Sequence, residues 1–179
     1  MVIRKVVFLI ASFIIFSTTI EAQVQRSFWG LELGRSTKTE VKSFILSNKL
    51  QHEDNFNGYD AIGITDLREL TFGGYSWAVT FIFYNNILYH ISMTRVDLGF
   101  STTTGETYEI NTKFIFHDLR GKLNNKYGTL DNPIGQSQNH YVRRDQQTVV
   151  ELELNSDKTL SLDYYDRRLA RASMSGNDL

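Results

Sequence analysis

Between Tyr75 and Met93 the chain alternates. Trp77, Val79, Phe81 and Phe83 take every second position, and Ile87, Tyr89, Ile91 and Met93 do the same after Asn85-Asn86. A period of two places each set on one face of a strand. Asparagine tolerates positive φ better than most side chains, so Asn85-Asn86 predicts a tight turn between the two strands. Leu67 to Gly74 reads as a strand preceding them. The expected unit is a three-strand antiparallel meander with one apolar face, and that face needs a cover.

Helical spacing on either side supplies it. Thr37-Lys38-Thr39-Glu40 has the form of a capping box, a hydroxyl residue followed three positions later by glutamate. Val41, Phe44 and Ile45 then fall on one helical face, which predicts a helix from about Thr37 to Asn48. Gly34 supplies the turn into the cap, and Phe28 to Leu33 is an extended lead-in. The two glycines at 30 and 34 are not a phosphate loop. Such a loop wants Lys and then Ser or Thr directly after its last glycine, and Arg35-Ser36 stands there.

Residues 50–66 are polar and glycine-punctuated, and predict a loop. Its apolar members, Phe56, Tyr59, Ile62 and Ile64, suit either a loop tucked over the core or one used for recognition.

The order then repeats. After a polar loop at 98–106, Phe116, Leu119, Leu123 and Tyr127 form an apolar stripe widened by Ile115, predicting a helix from about Tyr108 to Tyr127. Gly128 is its left-handed cap. Three strands follow: His140 to Arg144, one with Val150, Leu152 and Leu154 on a face, and one with Leu160, Leu162 and Tyr164 on a face. A turn at Asn155-Ser156-Asp157-Lys158 joins the last two. The tail from Asp166 is expected to dock through Leu169 and Met174 as a short helix. Residues 28–97 and 107–166 thus share an αβββ order. The expected fold is α+β, with antiparallel sheet or sheets carrying helices on one face, in one compact domain over 23–179.

Residues 1–22 are of a different kind. Arg4 and Lys5 precede an apolar run from Val6 to Phe16, and a more polar tail ends at Ala22. This is the layout of a secretory signal peptide cleaved after Ala22. Even extended to Ile20 the run falls short of the ~20 residues that span a bilayer, so no stable membrane insertion is expected after cleavage. The chain has no cysteine, which removes disulfides, thiolate metal sites and a cysteine nucleophile. An exported domain of this size without disulfides fits a bacterial periplasmic or secreted protein. The formal net charge of −1 gives no global attraction to nucleic acid, and the basic run from Arg167 to Arg171 reads as a solvated segment.

Catalytic signatures are sparse. G-x-S-x-G, G-x-G-x-x-G and H-E-x-x-H are all missing. His52, His90, His117 and His140 show no metal-pair spacing. Glu151, Glu153 and Asp163 point the same way from neighbouring strands. Such a trio suits calcium or paired-carboxylate glycoside hydrolysis, but equally a solvated sheet face shared with Arg143 or Arg144. No cofactor, metal ligand or catalytic residue is assigned.

The twice-repeated order of helix then antiparallel strands, behind a signal peptide, resembles the β-lactamase-inhibitor-protein-like fold. Gly34 to Val41, G-R-S-T-K-T-E-V, is similar to a helix start in small exported proteins of that class, outer-membrane assembly lipoproteins among them. Lys126 to Gly128, K-Y-G, is similar to a helix ending in small exported proteins. The chain lacks the inhibitor's disulfide cysteines and the lipoproteins' lipidation cysteine. The resemblance implies binding of another protein through an exposed sheet surface, without catalysis. The expected function is therefore recognition of a protein or cell-envelope component. His90, Arg143, Glu151 and Tyr165 would contribute from the open sheet face and Tyr59 from the long loop. A carboxylate-dependent hydrolase of envelope polysaccharide, using Glu151, Glu153 and Asp163, is the alternative.

Overall fold

A computed structural model describes residues 23–64, 70–95, 99–100, 107–108, 112–135 and 137–175. The expected signal peptide at 1–22 lies outside them. The fold is α+β with antiparallel sheets. Its elements are β1 (Ser27–Phe28), β2 (Leu31–Glu32), α1 (Lys38–Ser47), β3 (Glu53–Asp54), a 3₁₀ turn (Phe56–Gly58), β4 (Ala61–Ile64), β5 (Leu70–Phe72), β6 (Tyr75–Tyr84), β7 (Ile87–Arg95), β8 (Gly99–Phe100), β9 (Thr107–Tyr108), α2 (Thr112–Tyr127), β10 (His140–Arg144), β11 (Thr148–Leu154), β12 (Leu160–Asp166) and α3 (Arg167–Ser175).

The meanders join edge to edge. The main sheet runs β10-β11-β12-β7-β6-β4-β3, every neighbour antiparallel, with β5 also on β6. The seam is β12 against β7, where Leu162 faces Met93 and Tyr164 faces Ile91. Trp77, Val79, Phe81, Leu152, Leu162 and Tyr164 are fully buried in one cluster with Val41 and Ile45 of α1 and Phe116, Leu119 and Leu123 of α2. Both helices therefore cover the same sheet face, and each large side chain so buried contributes about 2–3 kcal/mol.

The helix starts and turns form as their residues demand. Thr37 Oγ1 accepts from the Glu40 amide at 3.2 Å and Glu40 Oε2 accepts from the Thr37 amide at 2.7 Å, a complete capping box. Asn85 and Asn86 both have positive φ, 49° and 67°. The two signals meet in space: the Lys38 amide, at the first residue of α1, donates to the Asn86 carbonyl at 3.0 Å. Gly128 (φ 83°) ends α2, donating to the Asn124 carbonyl at 2.9 Å.

Several expectations are corrected. The lead-in at 28–33 is a tight hairpin, β1 and β2, turning on Trp29 and Gly30 at positive φ. The loop at 50–66 contains β4, whose Ile62 and Ile64 enter the core; residues 65–69 lie outside the described ones. Four consecutive buried residues show no alternation, which hid the strand. The second helix starts at Thr112, because Thr107–Tyr108 pairs with Gly99–Phe100. A β-bulge also shifts β7: Ile82 faces His90 but Phe83 faces Leu88, leaving Tyr89 as the extra residue. Leu88 is thereby buried, whereas Ile87 and Tyr89, expected on the core face, are only half-buried. The tail does form a helix, but it buries Ala170 and leaves Met174 73% exposed.

The N-terminal segment is tied in by a buried ion pair. Arg26 Nη2 meets Asp166 Oδ2 at 2.8 Å, and Nη1 donates to Thr148 Oγ1 at 2.9 Å. Asp166 Oδ1 accepts from the Leu169 amide at 2.9 Å and so caps α3. Burial pushes the Asp166 carboxyl pKa up, but the bonds from Arg26 and Leu169 and the Arg26 charge outweigh it and hold it below the ordinary value. Gly34 (φ 78°) packs directly on this pair.

Candidate functional site

Antiparallel register lays the face away from α1 and α2 out as three rows. Residues directly opposite share a face. The middle row reads Val142, Glu151, Asp163, Ser92, Thr80 and Gly63 across β10, β11, β12, β7, β6 and β4. The row on one side reads Arg144, Val149, Tyr165, His90, Ile82 and Ala61 over the same strands. The row on the other side is His140, Glu153, Ser161, Thr94 and Ala78. Polar side chains gather at the seam of the two meanders.

They are bonded to one another. His90 Nε2 lies 2.9 Å from Asp163 Oδ1, and the Tyr165 hydroxyl donates to Glu151 Oε1 at 2.7 Å. The other Glu151 oxygen is 3.9 Å from His140 Nε2. The rings of His90 and Tyr165 meet edge to face at 5.7 Å. The side chains of His90, Asp163, His140 and Glu151 are between 12% and 28% exposed, so the cluster is half-buried. Burial, and then the bond to Glu151, raise the Tyr165 hydroxyl pKa far above its ordinary value, so it stays a proton donor. The His140 Nδ1 atom is buried and has no hydrogen-bond partner.

Three of the five expected residues, His90, Glu151 and Tyr165, are brought together here. Arg143 is not. It faces Val150 on the helix side; Tyr141, opposite Leu152, lies on that side too, and its ring carries the Arg120 guanidinium of α2 at 4.0 Å. Arg144 takes the place expected of it, because strand alternation keeps it with Val142 and His140. Tyr59 is 68% exposed but sits before β4, on the far side of β6 from His90. At ~4.8 Å per strand it lies beyond contact with the cluster. The long loop divides its roles: Phe56 packs on Gly63, where a Cβ would lie 2.7 Å from its ring, while Tyr59 stays outside. Asp163 and His140 belong to the site although they were not chosen for it. Asp163 reaches His90 only because β12 pairs with β7, whereas His140 reaches Glu151 through the register of β10 on β11.

The face is not uniformly wet, for Ala61, Val142 and Val149 on it are buried. Among the described residues no group of three or more His, Asp or Glu is placed to hold a metal ion, so the carboxylate trio does not converge on a cation. Glu151 Oε1 is taken up as the acceptor of the Tyr165 hydroxyl. No described helix is long and apolar enough to cross a membrane.

Comparison with known protein families, with characterised proteins and with solved structures finds no match to this chain. No solved structure of the β-lactamase-inhibitor-protein-like fold is among matches to it.

Proposed function

We propose that this protein is an exported, non-catalytic binding module that recognises a protein or cell-envelope component through the open sheet face. One observation carries the reading: a polar cluster held by its own hydrogen bonds, His90–Asp163 and Tyr165–Glu151, stands on the face that α1 and α2 leave bare. Cross-strand bonding fixes these rotamers before a partner arrives, which lowers the entropic cost of association. Tyrosine and histidine add amphipathic contact area at small conformational cost. Three carboxylates, Glu151, Glu153 and Asp163, share these rows with one arginine, Arg144, which favours a partner bringing positive charge.

Site-specific photo-crosslinking tests this. A photoreactive side chain at Thr94 or Ser161, on the open face, is compared with one at Leu46, exposed on α1. Adducts from the sheet positions in the source organism's envelope fraction, weakened by Tyr165→Phe, are the expected result. Adducts from Leu46 alone would remove the open face from the function.

A further inference from the structure

α3 carries arginines and a methionine on one outward stripe. The helix buries Ala170 and half-buries Leu169 and Ser173, while Arg168, Arg171, Met174 and Ser175 are exposed. Positions three and four apart share a helical face, so the stripe reads as two guanidinium groups followed by a large apolar side chain, Met174, 73% exposed. Among the described residues neither Arg168 nor Arg171 is within ion-pair distance of a carboxylate. Arg167 bonds the Asp145 backbone carbonyl. At this end of the molecule Arg26, Arg167, Arg168 and Arg171 stand against two carboxylates, Asp145 and Asp166, a surplus of two positive charges. The Arg35–Glu32 pair beside Gly34 adds no net charge. The chain as a whole carries −1, so the surplus is local to this end.

Beside the stripe is a cleft of about 330 Å³ between the first turn of α3, Gly34 and the β10–β11 turn. Arg26, Gln146, Gln147, Asp166 and Arg168 line it, with no apolar side chain among them. Asp166 already holds Arg26 at 2.8 Å, which leaves Arg168 as the cleft's uncompensated charge. A guanidinium beside two amides suits a group that bears both a phosphate and hydroxyls.

We propose that α3 seats the protein peripherally on an anionic phospholipid surface. Arg168 and Arg171 bind headgroup phosphates, the cleft beside Arg168 takes one glycerol headgroup, and Met174 enters the acyl boundary. Guanidinium is the planar, always charged donor that phosphate favours. Each basic side chain near such a surface strengthens binding about fivefold. Charge alone therefore gives weak, reversible attachment, to which an apolar side chain adds without spanning the bilayer. A soluble polyanion would engage the arginines and give Met174 no role, so the stripe favours the membrane. The reading does not depend on the open sheet face, since none of its residues belongs to the polar cluster.

Co-sedimentation of the purified protein with unilamellar vesicles tests it, comparing phosphatidylglycerol mixed into phosphatidylcholine with phosphatidylcholine alone. The protein should pellet with the anionic vesicles at low salt, come off in about 0.5 M NaCl, and stay in solution with the neutral ones. Arg168→Gln and Arg171→Gln should each weaken binding about fivefold and together about 25-fold, while lysine at both positions retains most of it. Met174→Ser should weaken it several-fold at unchanged salt dependence. All three side chains are exposed, and unchanged unfolding midpoints check that the variants are folded. Equal binding to neutral vesicles would assign the attachment to residues 1–22 and overturn the proposal. So would no binding to anionic vesicles at low salt, or full binding by the double glutamine variant. Indifference to Met174→Ser would point to a soluble polyanion, and release by inorganic phosphate at matched ionic strength to a small-anion site; either result overturns the membrane reading. Tyr165→Phe, which perturbs the open face, should leave vesicle binding intact, so the two proposals fail separately.

Discussion

Gly34 and Gly30 offer a controlled comparison. Both have positive φ, 78° and 84°. A Cβ at Gly30 would meet nothing within 4 Å, whereas at Gly34 it would lie 2.5 Å from Asp166 Oδ2 and 2.6 Å from Arg26 Nη2. Gly30→Ala therefore costs only the left-handed backbone penalty, roughly 1–2 kcal/mol. Gly34→Ala costs that and also displaces the Arg26–Asp166 pair. Breaking a buried pair costs about 3–5 kcal/mol, and the Asp166 cap on Leu169 is worth ~1 kcal/mol more. Some of this is recovered because Arg26, 16% exposed, can swing outward. The expected gap between the variants is about 3 kcal/mol, a large share of a total of ~5–15 kcal/mol. Urea denaturation at neutral pH measures it as a fall in midpoint at constant slope. In an Asp166→Ala background the loss from Gly34→Ala should drop toward that of Gly30→Ala, a coupling of roughly 2–3 kcal/mol. Equal losses at the two glycines, or an unchanged loss in that background, would refute the reasoning.

Three further outcomes follow from the same contacts. Thr37→Ala removes the oxygen that caps Glu40 and should lower stability by about 1 kcal/mol in chemical denaturation. Asp166 has a folded pKa below its ordinary value, so its stabilising effect is full above about pH 4 and is lost as pH falls through the folded pKa. Asp166→Asn should be less stable than the parent at neutral pH but should lose less between about pH 5 and pH 2; parallel pH profiles would contradict this. Tyr164→Phe removes a buried hydroxyl that meets no partner in hydrogen-bonding geometry and should leave the unfolding free energy unchanged or raise it by up to ~1 kcal/mol. A clear loss would show that the hydroxyl is satisfied.

How much was legible in advance depended on the range of the signal. The capping box, the Asn-Asn turn, the Gly128 cap and the alternating core of β6, β11 and β12 are local, and each formed at its expected residues. Where a neighbour decides the outcome, local reading failed. β4 has no alternation because it is buried on both faces, and the bulge at Tyr89 exists only in the pairing of β6 with β7. Arg143 and Arg144 are chemically alike and adjacent, so only the register of β10 on β11 assigns Arg144 to the open face. The polar cluster was half visible: His90, Glu151 and Tyr165 were chosen as outward residues of separate strands. The contacts of His90 with Asp163 and Tyr165 needed the seam, and those of Glu151 with Tyr165 and His140 needed the register of β11 on its two neighbours.

Periodicity, caps and turn residues by themselves determined that this chain folds as helices over antiparallel strands, since those preferences act within a few residues and need no partner. The tertiary structure alone decided that the two meanders share one sheet, that Arg26 crosses to Asp166, and that Tyr164 is fully buried against Phe28 and Phe72. These join residues far apart in the chain, and the stability of each contact depends on surroundings that no local pattern encodes.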